Sequence, residues 1–405
     1  KIIRADRIKV NPNTMKKYLL NGAWLLCCVL TSCESEISDF HRKSFIADTH
    51  NDVLLRSMTG KNILSSLEES HSDLEKFEKG GVDLQVFSIW VSPSEFEGEY
   101  FDRANNMITH LEYLCSRVPR KWSIPYNYQD IIYNEQRDIL SCMIGVEGGH
   151  AIENDLLKLE KLYDRGMRYL GVTWNNSNDW ATSAKDETLK RDSLEFIGLS
   201  EFGKEVIRKC NDLGIMIDIS HAGDQTVKDI LKISNKPIIA SHSSVYNICP
   251  HFRNLKDDQM YAIKKNGGVI FINFYPAYID PTFAGKEEKM KKFQKPLIDS
   301  VNAIYGENTD VGWYKVSEEL APHYQSIVPD LDDVVDHIDY VKNLIGIDHV
   351  GIGGDWDGVE VLPKNIEHIG KLPALTEVLI DRGYTKKEIR KILGENFKRV
   401  FKEVL

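Results

Sequence analysis

Histidines and carboxylates stand at the ends of short apolar runs in this sequence, where a chain can aim them at a common point. The first case is Asp48-Thr49-His50-Asn51-Asp52. Residues two apart on an extended chain face the same side, so the His50 imidazole and the Asp52 carboxylate converge as a pair fit for a divalent cation. Alone the pair is a weak signal, because a solvated loop residue or a helix cap accounts for it equally well. The reading strengthens downstream. Glu147 lies in Gly-Val-Glu-Gly-Gly, His221 in Asp-Ile-Ser-His and His242 in Ala-Ser-His-Ser-Ser, each closing an apolar run. Buried runs seldom end in histidine twice in succession without a use. Three imidazoles and two carboxylates exceed what one tetrahedral zinc accepts, whereas two ions sharing a bridging carboxylate would use all five. Asp355, in Gly-Ile-Gly-Gly-Asp-Trp-Asp-Gly, ends the last run of the same kind.

The elements that must position these residues are eight β-rich runs: Ser44 to Asp52, Val82 to Val91, Ile139 to Glu147, Tyr169 to Trp174, Ile215 to His221, Pro237 to His242, Val269 to Phe274 and Val350 to Asp355. Several are apolar almost throughout, as strands buried on both faces of a parallel sheet are. Helix-period segments alternate with them, among them Arg103 to Ser116, Asp155 to Arg165, Glu201 to Leu213, Ala222 to Ile233 and Leu331 to Leu344. Such alternation makes an α/β protein, either a (β/α)8 TIM barrel or a doubly wound sheet. A barrel gathers the ends of all its strands around one mouth; a doubly wound sheet spreads them along a line and usually carries a glycine-rich phosphate loop after its first strand. Here that strand runs into Thr-His-Asn-Asp instead, so the expectation is the barrel, as a single domain over 44–405.

The 405 residues, 42% of them apolar and 10% aromatic, can bury a large core and exclude disorder as the main state. Lys+Arg 51 against Asp+Glu 61 gives a net charge of -10. The first 32 residues hold six basic and one acidic side chain, leaving -15 for the rest, which argues against a nucleic-acid partner. Seven cysteines without a C-x-x-C pair exclude a disulfide scaffold and a zinc ribbon. Cys115, Cys142, Cys210 and Cys249 read as small buried hydrophobes.

From Met15 the chain reads Met-Lys-Lys-Tyr, then an apolar run to Leu30 too short to span a bilayer, which describes a signal peptide over 15–32. Leu30-Thr31-Ser32-Cys33 resembles a bacterial lipobox. That likeness implies diacylglycerol on Cys33, a tether over 33–43, and an extracytoplasmic, lipid-anchored place in a cell envelope. An ordinary signal peptide with an incidental cysteine is the plainer alternative. Residues 1–14 read as an upstream extension.

With their flanks, the five positions resemble the membrane (renal) dipeptidase family of zinc peptidases, which have the barrel of the amidohydrolases. The likeness runs from about Phe45 to the C-terminus. It includes Ile-Ala-Asp-Thr-His-Asn-Asp, Gly-Val-Glu-Gly-Gly, Asp-Ile-Ser-His, Ser-His-Ser-Ser, Arg253-Asn254-Leu255-Lys256-Asp257-Asp258, Asn273-Phe274-Tyr275 and Gly351-Ile-Gly-Gly-Asp355-Trp-Asp-Gly. The resemblance implies two Zn²⁺ per chain, one on His50 and Asp52, the other on His221 and His242, with Glu147 bridging. Two such ions would share a water and lower its pKa toward neutrality, which implies a metal-bridged hydroxide. It also implies that Asp355 passes the water's proton to the leaving amine and that Arg253 grips the free carboxylate of a dipeptide. The plain alternatives are a loop cap or ligand brace for Asp355, and a surface pair with Asp257 or Asp258 for Arg253.

One feature departs from that pattern, and a second is unusual. Family members often carry a histidine after the fourth strand, where this chain has Trp174 followed by Asn175 and Asn176. An indole donates one hydrogen bond and holds no charge, so either an asparagine takes over the polar task or the pocket accepts another substrate. The stretch from Pro276 to Pro329 is a long connection expected to form a lid or an oligomer contact, such as that of a homodimer. Two other readings stay open at this stage: a different amidohydrolase-type activity (N-acyl amino acid deacylase or lactonase), and a non-catalytic peptide-binding lipoprotein.

Overall fold

A strand that is apolar on both faces must be covered on both, and the chain meets that demand by closing its sheet into a ring. The computed structural model describes residues 36–307 and 309–405. Residues 1–14, the signal segment 15–32 and Cys33 lie outside the described residues. Residues 36–42 are helical, and Ser44–Leu405 is a compact unit of its own.

In that unit nine strands follow one another: β1 (Ala47–Asn51), β2 (Leu84–Trp90), β3 (Trp122–Ser123), β4 (Leu140–Glu147), β5 (Met167–Gly171), β6 (Met216–Asp218), β7 (Ile239–Ala240), β8 (Val269–Ile272) and β9 (Val350–Ile352). They pair in parallel in the order β2-β1-β9-β8-β7-β6-β5-β4. β4 returns to β2 in a register running from Leu84↔Ser141 to Trp90↔Glu147, which closes an eight-stranded barrel. β3 pairs only with Leu140 and Ser141 and stays outside the ring.

The expected barrel therefore forms, and all eight runs supply its strands. The strands are shorter than the runs. The run ending at His221 pairs only through Asp218 and that ending at His242 only through Ala240, so the polar residues beyond them leave the ladder and line the mouth.

The lower barrel is apolar. Ala47, Leu84, Val86, Met143, Tyr169, Met216, Ile239, Val269 and Phe271 cluster with Phe397, Val400, Phe401 and Val404, one face of the closing helix Asn396–Val404. Each buried Leu, Ile, Val, Met or Phe among them contributes about 1.5–3 kcal/mol of burial energy. Alternation along β4 carries the same inward face from Met143 through Gly145 to Glu147, so one strand serves both the core and the site. Gly145 is required there: a Cβ would lie 2.3 Å from Cζ of Tyr169, whose ring crosses the barrel at that level.

The helices expected at 103–116, 155–165, 201–213, 222–233 and 331–344 form as Tyr100–Arg117, Leu156–Asp164, Glu201–Leu213, Asp224–Ile233 and Leu331–Ile345. The long connection folds into four helices, Pro276–Ile279, Phe283–Phe293, Lys295–Tyr305 and Asp310–Tyr324, around its own small core of Phe283, Leu320, Tyr324 and Val328. Among the described residues no helix is long and apolar enough to cross a membrane.

Candidate metal centre and substrate pocket

The six chemistry-bearing residues meet at the C-terminal mouth. His50 is the fourth residue of β1 and Asp52 follows its end; Glu147 is the last residue of β4. His221, His242 and Asp355 sit just beyond β6, β7 and β9. His221 (φ 69°) and Asp355 (φ 61°) have left-handed backbones, a strain of about 1–3 kcal/mol each that the surrounding fold must impose.

The two oxygens of Glu147 face different partners. Oε2 lies 3.4 Å from Nε2 of His50, which is itself 3.3 Å from Oδ2 of Asp52. Oε1 lies 2.9 Å from Nε2 of His221 and 3.5 Å from Nε2 of His242, and these two nitrogens are 3.0 Å apart. Asp355 stands on the first side, its Oδ1 3.9 Å from Nε2 of His50. All six residues are buried.

These residues fit a pair of divalent cations. Their ligand atoms form three overlapping sets, His50/Asp52/Glu147, Glu147/His221/His242 and His50/His242/Asp355, each within 4.8 Å. The buried Nε2 of His50 has no hydrogen-bond partner, and three carboxylates packed this closely out of water need positive charge between them.

The electrostatics point the same way. Burial works against a charged ring at His50, yet Tyr169, Glu147 and Asp52 carry it well above the usual range. Burial would raise Glu147, but His50, His221 and His242 hold it well below the usual carboxylate range. Burial pushes His221 down to about 3 and His242 well below the imidazole range, leaving both neutral, as metal ligands must be.

The far sides of the three rings are held by polar groups. Nδ1 of His221 faces Oδ1 of Asn175 at 3.0 Å, an acceptor. Nδ1 of His242 faces Oγ of Ser241 at 2.7 Å, and that hydroxyl donates onward to Asp218 at 2.6 Å. Nδ1 of His50 faces Oη of Tyr169 at 2.9 Å, and Tyr169 donates to the Thr49 carbonyl. For His221 and His242, Nδ1 therefore carries the proton and Nε2 points bare into the centre, while Tyr169 holds the His50 ring with its Nε2 turned the same way. Asp48 ties β1 to the loop after β9, accepting from the backbone N–H groups of His50 and Gly354 and from Trp356 Nε1.

None of these supports was read from the sequence. Asp48 and Asp218 could have been found, since each precedes a ligand histidine by two or three residues. Tyr169 could not, because a strand tyrosine reads as core.

Around the centre lies a cavity of about 460 Å³. Arg253 reaches it from the loop after β7, 3% exposed, with Nη2 donating to the His242 carbonyl at 3.2 Å and Nε and Nη1 without partners. It forms no ion pair with Asp257, which instead accepts from Asn247 and Tyr340. Asp355 is held by Nδ2 of Asn273 at 2.8 Å. Burial, with Asp52 and Glu147 adding to it against the opposing pull of His50, pushes its carboxyl up to about 6.

Trp174 stands 5.0 Å from Trp90 and 6.3 Å from His221, ring to ring, so the two indoles form an apolar wall. Asn175 braces His221 through its Oδ1 and also lines the cavity. The long connection contributes Glu307, Thr309, Asp310 and Trp313 to the cavity lining, which makes it part of the cover. It is fastened beside Asp52: Tyr314 Oη bonds the Asp357 carbonyl at 3.3 Å, and Arg56, buried 4.1 Å from the Tyr314 ring centroid, bonds Asp357 and Glu318.

The sequence profile described as Membrane dipeptidase (peptidase family M19) matches residues 34–405. Dipeptidase 3 of Mus musculus is 29% identical over 365 residues, 89% of this chain, which spans 64% of that protein's length. The solved structure of the probable dipeptidase PvdM from Pseudomonas aeruginosa is 25% identical with a TM-score of 0.77, covering 92% of this chain and 98% of its own. A metallo peptidase from Rhodobacter sphaeroides, liganded with a phosphinate mimic of the dipeptide L-Ala-D-Ala, is 23% identical with a TM-score of 0.70 over 90% of this chain and all of its own.

Proposed function

The chain belongs to the membrane dipeptidase family, peptidase family M19, and from that premise we propose that it is a zinc-dependent dipeptidase cutting dipeptides with a free C-terminal carboxylate. The observation that carries this reading is the division at Glu147, with one oxygen toward His50 and Asp52 and the other toward His221 and His242. That is how one carboxylate serves two cations. In this reading His50 and Asp52 hold one zinc, His221 and His242 the second, and Glu147 belongs to both. When bound, the ions would polarise the scissile carbonyl and acidify water.

The chain's own groups do the rest. Asp355 takes a proton at Oδ1 and gives it to the departing amine; a carboxyl pushed up to about 6 does both near neutral pH. Arg253, anchored through Nη2, leaves Nε and Nη1 unpartnered, and a buried guanidinium with donors to spare suits a substrate carboxylate. Trp90 and Trp174 keep water from one side of the scissile bond. The dipeptide mimic held by the Rhodobacter protein of the same fold supports the substrate class.

The test is a zinc assay on the purified protein with a panel of free, C-terminally amidated and N-acylated substrates. Two zinc ions per chain and turnover of free dipeptides are expected, and Glu147→Gln should lose both, because an amide bridges cations poorly. One zinc or none in fully active protein overturns the binuclear reading. Preference for N-acylated compounds overturns the dipeptidase. Cys33 is read as the lipid attachment site of an envelope protein, so Cys33→Ser should release the chain to the soluble fraction or leave its leader uncut. Membrane retention of a cleaved, lipid-free chain contradicts that reading.

A further inference from the structure

The cavity has two ends, and their charges are opposite. Around the ring the order β1, β2, β4, β5, β6, β7, β8, β9 sets β2 four steps from β7, on the facing side of the barrel. Arg253 belongs to the β7 side, pinned to the His242 carbonyl and with two buried donors unpartnered. On the β2 side the lining carries Glu95, from the loop after β2, together with Glu307 and Asp310 from the long connection. Asp310 lies beside the helix that follows β2 and forms an ion pair with Nη2 of its Arg103 at 3.7 Å. Glu95 and Glu307 form no ion pair among the described residues.

We infer that this acidic wall binds the cationic side chain of the substrate's N-terminal residue, so that the chain prefers dipeptides beginning with lysine, arginine or a similar basic residue. The inference rests on the proposed dipeptidase reading and adds its specificity. With the C-terminal carboxylate on Arg253 and the scissile bond over the centre, the N-terminal residue extends across the mouth toward β2. Its aliphatic stem meets the indoles of Trp90, the last residue of β2, and Trp174, while its charged tip reaches Asp310 and Glu95. The wall is net negative, three carboxylates against Arg103, and burial with the nearby Glu95 pushes Asp310 up to about 6 despite that ion pair. A substrate cation between Asp310 and Glu95 offsets the excess.

The experiment compares kcat/KM of the zinc-loaded protein on lysyl-alanine and norleucyl-alanine, which share a four-carbon stem and differ by the terminal ammonium. The expected ratio is about tenfold in favour of lysyl-alanine at low salt, falling as salt is added. In Glu95→Gln/Asp310→Asn the ratio should fall close to one. Glu95→Gln alone, on an exposed loop remote from the core, should shrink it even if the double variant folds poorly. A wild-type ratio near one overturns the inference, as does an unchanged ratio in the double variant at native Tm. No turnover of either dipeptide, or of any other in the panel, fails the dipeptidase reading itself and this inference with it.

Discussion

The hydroxyl of Tyr169 stands 2.9 Å from Nδ1 of His50 and holds that ring with its other nitrogen turned into the centre. Tyr169→Phe keeps the ring and removes the hydroxyl, so zinc affinity should fall roughly 10- to 100-fold with the fold intact, as read by chelator competition. Gly145→Ala should add instability of about 1–3 kcal/mol, because the new Cβ must displace the Tyr169 ring. Unchanged affinity in Tyr169→Phe would show that the hydroxyl does not orient His50.

Asp355→Asn removes a proton carrier and keeps the shape. Zinc content should stay at the wild-type value while kcat drops by ~10²-fold or more. Loss of zinc instead would make Asp355 a ligand, and normal turnover would remove it from the mechanism.

Arg253→Met separates a carboxylate grip from a structural arginine. For free dipeptides kcat/KM should weaken by ~2–3 kcal/mol, with little change for C-terminally amidated analogues. Equal losses on both would reduce Arg253 to a brace for the His242 carbonyl it touches.

Asp83 gives a pH-dependent stability far from the mouth. Burial pushes its carboxyl up to about 7, against the backbone N–H of Ile46 that it accepts at 2.8 Å. The folded chain therefore holds this proton through a range where the unfolded chain, titrating near 4, has released it. Stability falls as pH rises from about 4 to about 7 and then levels off. In urea unfolding, Asp83→Asn should gain ~1–3 kcal/mol on the wild type between pH 4.5 and 7.5. Parallel stabilities across that range would count against a raised pKa.

How much could be read from the sequence followed from where each residue sits in its run. The barrel and its six mouth residues were legible because polar side chains terminate otherwise apolar runs, which marks both the strand and its functional end. Tyr169 was not, since an aromatic inside a strand has an ordinary use in the core and its role depends on an empty space at Gly145 from another strand. Asn175 was weighed as a stand-in for the family histidine, but only three dimensions show it bonded to His221. β3 is two residues long and leaves no run to detect. The long connection showed only a lysine-rich, helix-like part rather than separate helices, because Phe283–Phe293 and Lys295–Tyr305 each have a single buried side chain and so a faint apolar stripe.

Tyr169 and His50 are 119 positions apart, and Thr49 bonds the Ser241 carbonyl across 192. A compact metal finger can fold around its ion because its ligands are near neighbours along the chain. Here no short fragment holds a complete ligand set, and loop-closure entropy opposes gathering one before the sheet exists. On the proposed reading the ions would enter a finished cage rather than shape one, so during refolding zinc uptake should trail the return of secondary structure, and the stripped protein should keep its barrel.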